Sequence, residues 1–387
     1  KSNPAITPSC LAIILAFVRL FFKLIKLVVI SPLGSKSSSR AFLTTKLIYD
    51  KSINALNEGK TFYTYQNGTP KLRSEITKYM NEVFNINTKP ENHSVVTGGM
   101  MGLRLICDLI VSNGDEVVMI GPVWPNIRSS VLLKKGNIKE ISLELKNGEW
   151  VIDFDLLLNS VTAKTKMVFV NSPGNPTGWV MPKEQQKLLL NHTRHLGCWL
   201  ISDEVYHQIT FNDFVSPSFL ELSKPNDRLI VINSASKSFN MTGWRIGWIT
   251  HPEELGSHIA KLVQITTTGV PEFLQNGLVS ALENYKTITH ELRKNLKKSR
   301  DIMFDRLVNW NQVECSIPDA AFYAFFKVKG INDSLDFAKK LILETNVGVA
   351  PGVAFGASGE GHLRICFAAK ETFIIEIMDR LEPALNK

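Results

Sequence analysis

Cysteine is scarce in this chain and never paired along it. Cys10, Cys107, Cys198, Cys315 and Cys366 are scattered over 387 positions, odd in number and without a CxxC. That argues against a disulfide framework and a zinc site, so no metal is expected, and it suits a reducing, cytoplasmic setting. Internal repeats and low-complexity tracts are missing too, so neither a repeat architecture nor a biased tail is expected. A charge surplus is missing from most of the chain. The net charge is +8, but residues 1–60 hold nine Lys/Arg against Asp50 and Glu58, which leaves +1 for the remainder. A nearly neutral body excludes a nucleic-acid role. What is present is ordinary for a soluble globular protein: 44% hydrophobic and 21% charged residues, in a chain long enough for two compact units.

Leu11 to Ile30 is apolar except for Arg19, Lys23 and Lys26. Three cations at membrane depth cost about 2.5–3.5 kcal/mol each, and each apolar residue returns roughly 0.3–0.6 kcal/mol, so spanning is close to break-even. The cations recur at i, i+4 and i+7, on one helical stripe. An amphipathic helix packed on this protein or a partner copy is the favoured reading. Membrane-surface contact by residues 11–30 and a signal or spanning segment are the less favoured ones. Ser31–Arg40 reads as a flexible connection.

From about residue 90 short apolar runs alternate with helical patterns. Strands are expected at Ser94–Thr97, Glu116–Ile120, Lys166–Val170, Cys198–Ile201 and Leu229–Ile232, with helices at Met100–Val111 and Lys183–Leu196. This alternation implies an α/β fold with a mostly parallel sheet between helices. The pattern changes near residue 285. A long basic helix over Tyr285–Val308, strands at Ala321–Val328 and His362–Phe367, and a helix at Ser334–Glu344 read as a smaller α+β unit. The expected division is 1–45, 46–284 and 285–387.

Polar motifs follow several of these strands, where open α/β sheets gather ligands. Lys237 lies in Ser234-Ala-Ser-Lys-Ser-Phe-Asn-Met-Thr-Gly-Trp-Arg245. Small neighbours let a cofactor approach a nucleophilic amine, Ser234 and Ser236 offer hydroxyls to a phosphate, and Arg245 offers a guanidinium fork. Asp203, in Ser202-Asp-Glu-Val-Tyr206, is a strand-end carboxylate suited to a protonated pyridine nitrogen, and Tyr206 is close enough in sequence to reach a ring oxygen. Asn175 sits in the rigid turn Asn171-Ser-Pro-Gly-Asn-Pro-Thr-Gly178. Gly99 and Met100 open a helix whose first amides suit an anion. Trp124 can stack on a ring. Arg364 lies opposite Leu363, Ile365 and Phe367 on an expected strand and needs an anionic partner, for which a substrate carboxylate is one candidate. Each residue has a plainer reading: a tight Asn-Pro turn, a helix cap at Asp203, a surface lysine, a Gly-Gly turn, a core tryptophan, a structural ion pair. Together they form the inventory of a pyridoxal phosphate site.

NSPGNPTG, SDEVYH, SASKSFNMTGWRIGW and LRICFA, in that order and spacing, resemble the class I/II aminotransferases of the fold-type I pyridoxal phosphate enzymes, from about residue 45 to the end. The resemblance implies that Lys237 forms the Schiff base with pyridoxal 5'-phosphate and that Asp203 pairs with its ring nitrogen. Asn175 and Tyr206 then contact the ring oxygen, and Trp124 stacks. Ser234, Ser236, Arg245 and the amides near Gly99 and Met100 hold the phosphate, and Arg364 binds the substrate α-carboxylate. Tyr63, in Tyr63-Thr-Tyr-Gln-Asn-Gly68, resembles a tyrosine that reaches the neighbouring subunit's phosphate, which implies a homodimer with shared sites. Gly34 stands where the family has a substrate-closing Gly-x-Pro loop, here Gly-Ser-Lys. The expected activity is ping-pong transfer of an amino group from an L-amino acid to a 2-oxo acid. The alternatives are a β-eliminating lyase on the same site and an inactive or regulatory remnant.

Overall fold

The computed structural model describes residues 43–386. Gly34 and the apolar stretch 11–30 lie outside them. Two helices, α1 (Lys46–Asn57) and α2 (Pro70–Phe84), precede the first strand, β1 (His93–Val96). There follow α3 (Gly99–Ile110), β2 (Glu116–Gly121), α4 (Pro125–Leu133), β3 (Asn137–Lys146), β4 (Glu149–Ile152), α5 (Phe154–Ser160), β5 (Thr165–Asn171), α6 (Lys183–Leu196), β6 (Trp199–Asp203), β7 (Leu229–Ser234), the short α7 (Ala235–Ser238) and β8 (Gly247–Thr250). These eight strands form one sheet in the order β1-β8-β7-β6-β5-β2-β3-β4. The central run from β7 to β3 is parallel, while β8 and β4 run against their neighbours. The sheet is therefore mixed but mostly parallel, as expected.

Parallel strands must be covered on both faces, and the side-chain period of two shows that these are. Val118, Val168, Val170, Leu200 and Val231 enter one core, shared with α2. Val117, Met119, Met167, Phe169, Ile201 and Ile230 enter the other, shared with α3. This double burial explains why the strands read as unbroken apolar runs.

After β8 come α8 (Gly256–Thr266), α9 (Glu272–Glu283), α10 (Tyr285–Leu307), β9 (Val313–Cys315), β10 (Tyr323–Val328), α11 (Ser334–Thr345), β11 (Ala350–Pro351), β12 (His362–Cys366) and α12 (Glu371–Leu385). Strands β11-β12-β10-β9 make a second, antiparallel sheet. Strand β10 begins two residues later than expected. Ala321 is in the left-handed region (φ 61°) and donates its N–H to the Ile209 carbonyl at 2.8 Å, so the ladder cannot start before it. Helix α10 serves several cores in turn. Tyr285 and Ile288 enter the large-sheet core, Leu292 and Leu296 a cluster with Tyr206 and Tyr323, and Met303, Phe304 and Leu307 the small-sheet core.

Tyr79 of α2 ties the core to the segment after β6. It lies edge-on to Tyr285, Trp248 and His207, and its hydroxyl is 2.5 Å from His207 Nε2. Burial lowers the His207 pKa to about 4 and keeps the ring neutral. His207 Nδ1 lies 2.8 Å from the Glu204 carbonyl, which fixes the proton there, so Tyr79 donates to Nε2. Removing a buried donor leaves its acceptor unpaired at roughly 1–3 kcal/mol. Tyr79→Phe should lower unfolding free energy by about that amount in urea denaturation, and an unchanged midpoint would refute the hydrogen bond's contribution.

Candidate active site

Strands β5, β6 and β7 lie side by side, with Asn171 registered on Asp203. Their carboxyl ends open into a cavity of about 330 Å³. Of the residues singled out from sequence, Gly99, Met100, Trp124, Asn175, Asp203, Tyr206, Ser234, Ser236, Lys237 and Arg245 line it. Three do not line it. Arg364 stands at its edge, bonded to Asn175. Tyr63 is 92% exposed on the loop before α2, and Gly34 is outside the described residues.

Asn171 knits the turn after β5. Its side chain accepts the Asn175 N–H at 2.8 Å and donates to the Asp203 carbonyl at 3.0 Å and the Pro173 carbonyl at 3.2 Å. Asn175 is thereby held with its Oδ1 accepting from the Arg364 guanidinium at 2.8 Å. Arg364 comes from β12, and the register that pairs it with Phe325 puts it on the face opposite the small-sheet core, where Leu363 and Ile365 are buried. Three rings surround its guanidinium: Tyr323 at 4.3 Å, Phe355 at 4.8 Å and Trp124 at 5.8 Å. Its buried Nε has no partner among the described residues. A guanidinium enclosed by aromatic faces, with a donor unused, is prepared for an anion.

Lys237 lies on the single-turn α7, capped by Ser234, whose Oγ accepts the Ser236 N–H at 3.2 Å. Its Nζ is 5.7 Å from the Tyr206 ring centre and 5.4 Å from that of Phe322. Arg245 is in the left-handed region (φ 51°), donates to the Thr242 carbonyl at 2.6 Å and reaches Ser236 Oγ at 3.4 Å. Gly98, at φ 79°, makes room for it, since a Cβ there would overlap the guanidinium. The Arg245 fork thus faces the start of α3, ahead of the Met101 and Gly102 amides that already donate to the Gly98 carbonyl.

Burial pushes the Asp203 carboxyl up to about 7, and the Val205 N–H and the Lys237 ammonium offset this only in part. Burial, with Tyr323 beside it, also raises the Tyr206 phenol well above its ordinary value. The Tyr206 and Tyr323 hydroxyls are 3.0 Å apart. An unpaired buried carboxylate calls for a cation, and the Arg245–Ser236 corner calls for an anion. A ligand cationic at one end and anionic at the other, with a carbonyl for Lys237 between, fits both demands. Tyr323 was missed in sequence although it lies within the segment expected as a strand. Its signal was a tyrosine in an apolar strand, whose hydroxyl needs a partner when buried.

The aminotransferase class I and II family matches residues 39–380. The probable aspartate aminotransferase of Methanocaldococcus jannaschii is 34% identical, covering 85% of this chain and 87% of that one. Among solved structures, aspartate aminotransferase from Thermotoga maritima aligns with TM-score 0.85 at 28% identity, covering 96% of each chain. Aromatic aminotransferase from Pyrococcus horikoshii aligns equally well, TM-score 0.85 at 29% identity, over 91% of this chain and 95% of the other. The match of nearly the whole chain, on a fold that gathers a lysine, a buried aspartate and an arginine at one set of strand ends with Arg364 reaching in from the second sheet, means that the chain belongs to the class I and II aminotransferases.

Proposed function

We propose that this aminotransferase binds pyridoxal 5'-phosphate in the cavity above β5–β7 and moves amino groups from an L-amino acid to a 2-oxo acid. The observation that carries the reading is the meeting of Lys237, Asp203 and Arg245 in one cavity with the Asn175–Arg364 pair at its edge. When bound, the cofactor supplies an electron-withdrawing ring that stabilises negative charge at the substrate Cα.

The protein's own groups divide the remaining work. Lys237 Nζ would anchor the cofactor and, as a free amine, would take the substrate Cα proton and return it. Asp203 keeps the ring nitrogen protonated, since the pair relieves a carboxylate that burial otherwise drives toward neutrality. Ser234, Ser236, Arg245 and the amides of Gly99 and Met100 hold the phosphate, while Asn175 and Tyr206 orient the ring oxygen and Trp124 covers the ring. Arg364 binds the substrate α-carboxylate through a bidentate fork. An intact set of these groups argues against an inactive remnant, and the transferase family argues against an eliminating lyase.

Exposed Phe62, Tyr63, Tyr65, Leu43, Leu47 and Ile53 support a homodimer in which Tyr63 serves the neighbouring site. Light scattering should then give twice the 43.4 kDa chain mass, and a monomer at micromolar concentration would remove the shared-site reading.

Lys237→Ala should cut turnover by roughly 10²–10⁴-fold or more, with loss of the absorbance change on adding amino acids. Wild-type rates in that variant would sink the assignment. Asp203 has a folded value of about 7 against an ordinary 3.8. Between those values the native state binds more protons than the unfolded one, so stability falls as pH rises through the window. In cofactor-free protein Asp203→Asn should therefore raise Tm at about pH 8, converge with wild type near about pH 4, and weaken cofactor binding throughout. A lower Tm than wild type at the alkaline end would contradict the buried, unpaired carboxylate.

A further inference from the structure

A charged cluster beside the Arg364 end of the cavity has no part in the chemistry above. Arg128 lies in the first turn of α4, and Trp124 is the residue that precedes that helix. Arg128 donates to one oxygen of Glu140 on β3, and Ser358 Oγ donates to the other at 2.7 Å. Ser358 belongs to the loop 352–359, which also carries Phe355, the ring 4.8 Å from the Arg364 guanidinium. The Val123 N–H anchors the same loop by donating to the Phe355 carbonyl at 2.9 Å. Glu140 is wedged against the backbone of Gly356 (φ 121°), where a Cβ would come within 2.9 Å of a carboxylate oxygen. Glu140 thus joins the small unit's loop to the large sheet and takes up the charge of Arg128.

The Arg128 and Glu140 side chains are only 25% and 14% exposed. In such surroundings an unpaired guanidinium projects a strong field, whereas a close pair projects only that of a compact dipole. The rings of Trp124, Tyr323 and Phe355 stand within 5.8 Å of the Arg364 guanidinium, where the substrate α-carboxylate would be held. Those faces suit apolar or aromatic groups. A side-chain carboxylate entering there would have to compete with Glu140 for Arg128 or remain unpaired out of water.

We infer that Glu140 sets the choice of amino acid: by keeping Arg128 paired, it makes the site select uncharged apolar or aromatic side chains over those of aspartate and glutamate. The inference rests on the aminotransferase reading above. Glu140 is a specificity and positioning residue and does not touch the reacting atoms.

The test is the half-reaction of holoenzyme, followed by absorbance, with phenylalanine, leucine, methionine, aspartate and glutamate. Wild type should favour the three neutral amino acids over the acidic two by at least about tenfold in kcat/KM, the scale of one uncompensated polar contact. Glu140→Gln keeps an oxygen for Ser358 and drops the charge that neutralises Arg128. It should shift the aspartate-to-phenylalanine ratio toward aspartate by at least about tenfold, and adding Arg128→Met should cancel the shift. A purely structural role would lower all substrates together and leave that ratio unmoved, which would overturn the proposal. Wild type preferring aspartate or glutamate would overturn it without any variant. Wild type inert toward all five would instead overturn the aminotransferase reading, and this inference with it.

Discussion

Neighbouring parallel strands end on the same edge of the sheet, and that constraint builds the site. Asn171, Asp203 and Ser234 are the last residues of three neighbouring strands. Nothing local to any of them explains why an amide, a carboxylate and a hydroxyl should meet, since they are separated by about thirty residues in each step. The sheet register brings them together, and the double apolar layer above and below the sheet keeps the register from slipping. Lys237 is then only three residues past the end of β7, on a turn too short to move independently of its strand.

Electrostatically the cavity is arranged as opposites held apart. Asp203 is buried without a cation close enough to balance it, while Arg245 and Arg364 lie at other corners with backbone, hydroxyl or amide partners in place of acids. Bringing the charges together would satisfy them and close the site. The αL conformation at Arg245, the space left by Gly98 and the rings around Arg364 prevent that collapse. Unsatisfied charge at fixed distances is how a folded protein stores affinity for a ligand of complementary ends.

Much of this was legible because the strands are buried on both sides. Continuous apolar runs such as Met167–Val170 and Leu229–Ile232 are hard to mistake, and the polar residue that ends each run stands out. Strand direction was less legible. Gly247–Thr250 looks like its parallel neighbours although it runs against β7, because direction follows from a short connection through α7 and a 3₁₀ turn rather than from composition. The half-buried hairpin β3–β4 alternates instead, with Ile141, Leu143 and Trp150 in the core between more exposed residues, and so lacks the continuous apolar run that marks the central strands. The partners of Tyr323 and Glu140 were less legible for a different reason. Tyr323 meets Tyr206, and Glu140 meets Ser358, across more than one hundred positions, so a tyrosine in an apolar strand signals a buried hydroxyl but no local pattern names its partner. Tyr63 was legible only by resemblance, and a single copy of the chain leaves it in solvent.

Helix α10 carries a consequence for how such a protein can change over generations. Its first turn completes the large-sheet core with Tyr285 and Ile288, its middle packs beside Tyr206, and its last turns complete the small-sheet core. The two sheets are therefore not exchangeable modules. A recombination point before Tyr285 would strip the first core of its closing residues, and one after Leu307 would carry the second core's residues away with the wrong partner. Inheritance must keep the helix and both of its cores in step, so the two units are bound to diverge as one lineage.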